Sequence, residues 1–229
     1  MQTLEGRVNQ VQLDQQGAIS AWITCPLPKM PSPGQYLFAW APSDTDTPTG
    51  VPLFPARVSG DGFLATPPLP PAWTPGTELY MRGPLGNGFA LPASIRRLAL
   101  AALDDSVARL LPLAALASQR GCAVTLFADG PLPTLPVSYE AYPLRNLPEN
   151  LAWADLLAIE LPLQRLSELH NVLGVAGSEN LPCPAQVLIY TGMPCAGLAE
   201  CGACAISTRR GYRLACMDGP VFDFHEIRP

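Results

Sequence analysis

The chain has 229 residues, 48% of them hydrophobic and 14% charged, with a formal net charge of −5. That balance excludes a disordered chain, and the length suits one large domain or two small ones with an appendage. With no long run of basic residues, nucleic acid and anionic membrane are excluded as main partners, and no stretch of about 18 apolar residues offers a membrane span.

Residues 1–92 read as β-rich. The apolar runs are Gly6-Arg-Val-Asn-Gln-Val-Gln-Leu13, Ala18-Ile-Ser-Ala-Trp-Ile-Thr24, Gln35-Tyr-Leu-Phe-Ala-Trp40, Gly62-Phe-Leu-Ala-Thr66 and Glu78-Leu-Tyr-Met-Arg82. Turn dipeptides Pro33-Gly34, Asp61-Gly62 and Pro75-Gly76 separate them. The 27 prolines are densest before residue 93, as in Cys25-Pro-Leu-Pro28 and Pro67-Pro-Leu-Pro-Pro71, which argues against long helices there. Short strands at this spacing suggest a small barrel or sandwich. The opening Met1-Gln-Thr-Leu-Glu-Gly-Arg7 has no basic stretch followed by an apolar core, so a cytoplasmic location is expected.

From residue 93 the pattern changes. Arg96-Arg-Leu-Ala-Leu-Ala-Ala-Leu103 reads as a buried strand, and Asp104-Asp-Ser106 as a cap for a helix over 107–120 that Gly121 ends. Pro112 inside that span predicts a late or irregular start. Ala123-Val-Thr-Leu-Phe-Ala128 is the next strand, 151–160 and 163–174 read as helices, and Gln186-Val-Leu-Ile-Tyr190 reads as the last strand. The alternation predicts a small α/β layer on a parallel sheet.

The chemistry concentrates at the end of the chain. Four of seven cysteines follow the spacing Cys195-x5-Cys201-x2-Cys204-x11-Cys216. A Cys-x2-Cys pair can give two thiolates to one metal or cluster, and the plant-type [2Fe–2S] spacing is Cys-x4-Cys-x2-Cys with a distant fourth cysteine. The x11 segment reads as a β-hairpin with a three-residue loop, Arg209-Arg-Gly211, which sets Cys204 opposite Cys216. Small residues between the first three cysteines would let backbone N–H groups approach the sulfides. A zinc site on the same four cysteines stays open. Cys25, Cys122 and Cys183 read as buried structural thiols, and His170 and His225 as ordinary histidines.

Met193-Pro-Cys-Ala-Gly-Leu-Ala-Glu-Cys-Gly-Ala-Cys204, followed by Cys216-Met-Asp-Gly-Pro-Val-Phe-Asp223, resembles the C-terminus of the electron-transfer subunit of class 1B dihydroorotate dehydrogenase. Arg82-Gly-Pro-Leu-Gly-Asn-Gly-Phe89 and Pro33-Gly-Gln-Tyr36 are similar to the same family's barrel motifs. The resemblance implies a ferredoxin-reductase-like fold: a flavin-barrel-like β domain (1–92), a degenerate nucleotide-binding-like α/β domain (93–190) and a [2Fe–2S] lobe (191–229). It implies Cys195, Cys201, Cys204 and Cys216 as iron ligands, and a hetero-oligomer with an FMN-containing catalytic subunit of pyrimidine biosynthesis.

The sequence also departs from that family. Gly50-Val-Pro-Leu-Phe-Pro-Ala-Arg-Val58 carries no Arg-x-Tyr-Ser-like flavin motif, and Arg57 and Ser59 are its nearest polar groups. The turn Ala101-Ala-Leu-Asp-Asp-Ser106 has no glycine and sets two carboxylates where a pyrophosphate needs positive potential. NAD(P) is therefore not expected, while FAD stays open at Gly83, Gly86 and Gly88, whose other reading is a tight turn between domains. Val221-Phe-Asp-Phe224 is a candidate docking edge if exposed. The expected function is electron transfer through a [2Fe–2S] cluster. The alternatives are a zinc-stapled scaffold and an independent oxidoreductase on the same fold.

Overall fold

In a computed structural model, residues 3–13, 19–25, 30–46, 49–66, 68–104, 106–175 and 181–228 are described. Ala18, Pro26, Leu27, Pro28, Pro67 and Asp105 lie outside them. The first seven strands are β1 (Thr3–Leu13), β2 (Ile19–Thr24), β3 (Tyr36–Trp40), β4 (Val51–Leu53), β5 (Pro55–Ser59), β6 (Gly62–Ala65) and β7 (Glu78–Leu85). They pair antiparallel in the order β4-β3-β7-β1-β2-β6-β5. The two edge strands, β4 and β5, follow one another directly in the chain, so the sheet nearly closes into a barrel. Its interior is apolar: Val8, Ile23, Leu37, Leu53, Phe63, Leu79 and Met81 are buried. Strands β4 and β5 go beyond the sequence reading, because Pro52 and Pro55 break the alternation that marks a strand, and edge positions tolerate proline.

The second sheet contains β8 (Arg97–Ala102), β9 (Ala123–Phe127), β10 (Tyr139–Tyr142), β11 (Leu156–Pro162) and β12 (Ala185–Tyr190). These run parallel in the order β10-β9-β8-β11-β12. The segment 151–160, expected as a helix, is instead a short 3-10 turn, Leu151–Trp153, followed by β11. Leu156-Leu-Ala-Ile-Glu-Leu is buried at every position, and a continuous apolar run in a parallel sheet lacks the alternation that would separate it from a buried helix.

Helix α1 (Leu111–Gln119) starts late, with Pro112 in its first turn, and Gly121 follows its end with a φ of +76°. The expected acidic cap is not used: Leu110 occupies the N-cap position with no side-chain capping bond, and Ser106 Oγ accepts from Ala108 N–H at 3.2 Å. Helix α1 packs on β5, β8 and β9, so it touches the barrel as well as its own sheet. The short helices α2 (Leu147–Asn150) and α3 (Leu169–Leu173) complete the layer, α3 following a 3-10 turn, Leu163–Glu168, that packs on β11 and β12.

The C-terminal segment forms a hairpin of β13 (Ala205–Thr208) and β14 (Gly211–Leu214), then returns to the parallel sheet as β15 (Val221–Asp223), antiparallel to β12. Strand β12 is thus not the last strand. Val221, Phe222 and Phe224 are buried, so Val221-Phe-Asp-Phe224 is a sheet edge strand and its continuation rather than an exposed docking edge. Among the described residues, no helix is long and apolar enough to cross a membrane.

Candidate iron–sulfur site

The four cysteines stand on a tight loop and on the two ends of the β13–β14 hairpin. The loop curls through left-handed conformations at Ala196 (φ +56°), Gly197 (+71°), Ala199 (+64°) and Gly202 (+69°). Ala196 and Ala199 are non-glycine residues, and each such conformation costs about 1–2 kcal/mol. Strain of this kind persists where surrounding structure over-determines it, and it marks functional loops. Its effect here is to turn backbone N–H groups inward. The Glu200 and Cys201 amides lie within reach of the Cys195 thiol, while the Leu198 N–H donates to the Cys195 carbonyl at 3.1 Å. The amides, Glu200 first, pull the Cys195 thiol down to about 6, so the loop favours a thiolate.

The cysteines meet in two pairs. The Cys195 thiol lies beside that of Cys201 and the Cys204 thiol beside that of Cys216, and Cys195 is within electrostatic reach of Cys216. The Cys216 thiol is pushed up to about 12, mainly by burial and then by the Cys204 thiol, while the Ala199 N–H opposes. Cys204 and Cys216 are buried, Cys195 is half-buried, and Cys201 is exposed. Among the described residues no three His, Cys, Asp or Glu side chains converge as a set for a single metal ion.

The hairpin differs from expectation by one residue. Thr208 pairs with Gly211, so the loop is Arg209-Arg210, and Gly211 takes the positive φ (+106°) inside the strand. The shorter loop shifts the register: Ala215, not Cys216, stands opposite Cys204, donating to its carbonyl at 3.0 Å. Cys216 still reaches Cys204 because the chain turns straight after β14. There Asp218 accepts from Leu214 N–H at 2.8 Å and pairs with Arg213 at 3.4 Å.

Two residues outside the C-terminal segment hold the site in place. The Tyr36 hydroxyl, fully buried on β3, donates to the Cys216 carbonyl at 3.0 Å. The Arg82 guanidinium on β7 donates to the Ala196 carbonyl. Both residues belong to the Pro33-Gly-Gln-Tyr36 and Arg82–Phe89 motifs, and neither role was legible, since their partners lie 180 and 114 positions away. Further along, Asn87 donates through its backbone to Gly219 O at 2.6 Å and through its amide to Asp218 O at 2.7 Å.

Gly83, Gly86 and Gly88 are faced by protein. A Cβ on Gly86 would stand 2.5 Å from Pro220 Cδ and 2.6 Å from Gly219 O, and one on Gly88 2.7 Å from Pro33 O. Gly83 sits against the Leu37 side chain. The bareness of Gly86 lets the barrel close on the C-terminal segment, while Gly83 and Gly88 meet residues of the N-terminal β region itself. Arg57 is exposed and Ser59 half-buried at the barrel surface. The other three cysteines, Cys25, Cys122 and Cys183, are buried thiols. His170 is buried beside Phe224, with ring centroids 5.2 Å apart, and His225 is exposed.

A near-closed antiparallel barrel docked on a parallel sheet is the ferredoxin-reductase architecture. The chain superposes on the NADH-dependent reduced ferredoxin-NADP oxidoreductase, a structure solved for flavin-based electron bifurcation, with a TM-score of 0.75 at 18% identity, covering 97% of this chain and 89% of that one. The ferredoxin reductase of carbazole 1,9a-dioxygenase matches with a TM-score of 0.60 at 15% identity, over 76% of this chain and 65% of that one. The protein therefore has a ferredoxin-reductase-like fold ending in a cysteine-bearing lobe.

That lobe, residues 193–228, matches the family model of the iron-sulfur cluster binding domain of dihydroorotate dehydrogenase B. The chain is similar to the probable dihydroorotate dehydrogenase B (NAD(+)) electron transfer subunit of Thermoplasma acidophilum, at 26% identity over 86% of this chain and 80% of that protein.

Proposed function

We propose that the chain is the electron-transfer subunit of an oxidoreductase of the dihydroorotate dehydrogenase type, serving pyrimidine biosynthesis. Cys195, Cys201, Cys204 and Cys216 hold a [2Fe–2S] cluster, and an FMN-containing catalytic subunit is the partner in a cytoplasmic hetero-oligomer. The observation that carries this reading is the strained loop at Ala196 and Ala199, which brings the Glu200 and Cys201 amides towards the Cys195 sulfur. A bound cluster supplies one-electron redox chemistry, and hydrogen bonds to its sulfurs set its potential. The chain's own residues do the rest. Tyr36 and Arg82 fix the cysteine loop against the barrel, burial shields Cys204 and Cys216, and no side chain need act as acid or base.

The exposed side of the site supports a protein partner. Leu198, Tyr212 and Met217 are large apolar side chains at 50%, 81% and 62% exposure, all on the lobe that carries the exposed Cys201. The natural division of labour is a barrel (1–92), an α/β layer (93–190) and a lobe (191–229) whose β15 completes the sheet. The test is rapid mixing of the anaerobically reduced protein with an oxidised dihydroorotate dehydrogenase catalytic subunit. Oxidation of the chain together with bleaching of the partner's flavin supports the proposal. A stable mixture with no electron exchange contradicts it.

A further inference from the structure

Open α/β sheets take nucleotides and flavins in the crevice beyond the carboxyl ends of their strands, at the point where strand order reverses. In this chain the order reverses between β8 and β11, and the crevice there faces the barrel. It is already occupied. Arg109, 3% exposed, lies with its guanidinium carbon 3.7 Å from the centroid of the Tyr190 ring at the end of β12 and 5.9 Å from that of Phe54 in the barrel. Asp104, just beyond β8, pairs with this guanidinium at 3.5 Å and accepts a hydrogen bond from the Tyr190 hydroxyl. Glu160, on β11 and fully buried, is within electrostatic reach of it.

We propose that Arg109 is the permanent occupant of this crevice, and that the chain takes neither flavin nor pyridine nucleotide. A planar cation stacked on an aromatic of the sheet and close to one of the barrel takes up the space that a planar cofactor ring would need. The opening left beside it, lined by Pro33, Gly34, Phe54, Val58, Arg109 and Pro112, has a volume of about 10 Å³. That admits about one water, whereas sites for drug-sized ligands and cofactors span roughly 300–1,000 Å³. Asp104 sets negative charge where a pyrophosphate would lie, and Gly83, Gly86 and Gly88 are already faced by protein.

Arg109 pairs with the half-buried Asp104 and eases ionisation of the fully buried Glu160, so displacing it to admit a cofactor would leave both carboxyl groups without their cation. The electron-transfer role rests on the separate cluster reading. Under it, one electron enters from a reduced redox protein and one leaves to the acceptor, with no bond made and no hydride accepted from a nucleotide.

The experiment uses the full chain, with iron and sulfide assayed on the same sample. Flavin released on denaturation is quantified, and FAD, FMN, NADH and NADPH are titrated by equilibrium dialysis. No released flavin and no affinity tighter than about 1 mM are expected. Arg109→Ala is expected to lower the melting temperature by at least about 6 °C, and Arg109→Lys to restore only part of it. Failure of Arg109→Ala to fold counts with the expected loss, because the Lys variant and the titrations still decide. Stoichiometric flavin, micromolar affinity for any of the four ligands, or an Arg109→Ala protein that melts like the wild type would each overturn the proposal. A sample without iron or sulfide, and also without flavin, sinks the cluster reading and leaves this one standing.

Discussion

Replacing Tyr36 by Phe tests how the barrel holds the cysteine lobe. The substitution removes one oxygen from a side chain that is fully buried and packed 5.6 Å, centroid to centroid, from Phe54. The ring keeps its contacts, so no cavity term of note arises. What is lost is the 3.0 Å hydrogen bond to the carbonyl of Cys216, a residue itself 4% exposed. A buried carbonyl left without a donor costs about 1–3 kcal/mol, against about 1 kcal/mol for an ordinary solvent-compensated bond. The expected loss is therefore about 1–2 kcal/mol. In a chain of this length that is a fall of roughly 2–8 °C in melting temperature. Urea unfolding of Tyr36→Phe beside Tyr212→Phe is the assay, since Tyr212 is 81% exposed and its loss should be neutral. The midpoint should fall with an unchanged slope, and a chelator should strip iron faster from the variant. A Tyr36→Phe protein within about 0.5 kcal/mol of wild type, with unaltered iron loss, would refute the idea that this bond anchors the site.

Gly86→Ala forces a Cβ to within 2.5 Å of Pro220 Cδ at a φ of +72°, and should cost about 2–4 kcal/mol, whereas Gly60→Ala meets nothing within 4 Å and should be silent in the same denaturation series. Glu160 gives a pH signature. Its carboxyl, with neither oxygen hydrogen-bonded, is pushed up to about 8, first by burial and further by Asp104, with Arg109 opposing and Tyr190 alongside. Because the folded state holds this proton where the unfolded chain has released it, stability should fall as pH rises from the ordinary carboxylate range, near 4.5, towards about 8. Glu160→Gln should flatten that slope in melting curves taken across the window; an unchanged slope would mean that Glu160 is already paired.

The sequence carried the cysteine set most directly, because ligand spacing and hairpin closure are local. Five of the seven barrel strands were legible for the same reason: apolar alternation between Pro-Gly and Asp-Gly turns needs only nearest neighbours, while β4 and β5, broken by Pro52 and Pro55, escaped it. Three further features were not. The strand Leu156–Pro162 lacks alternation since both faces are covered, which only the assembled sheet reveals. The hairpin register turned on whether Gly211 lies in the loop or in the strand, and a one-residue shift moved Cys216 past Cys204. The grips of Tyr36 and Arg82 on the lobe, and the stacking of Arg109 on Tyr190 close to Phe54, are contacts between distant segments, and nothing in the local pattern around these residues announces them.

The central claim is that the four C-terminal cysteines hold a cluster. Iron, acid-labile sulfide and zinc measured on protein purified anaerobically test it most directly, with Cys204→Ala and Cys25→Ala prepared in parallel. The expected result is about two irons and two sulfides per chain in the wild type and in Cys25→Ala, with both lost in Cys204→Ala. Zinc without iron or sulfide, persisting after anaerobic reconstitution, would contradict the account.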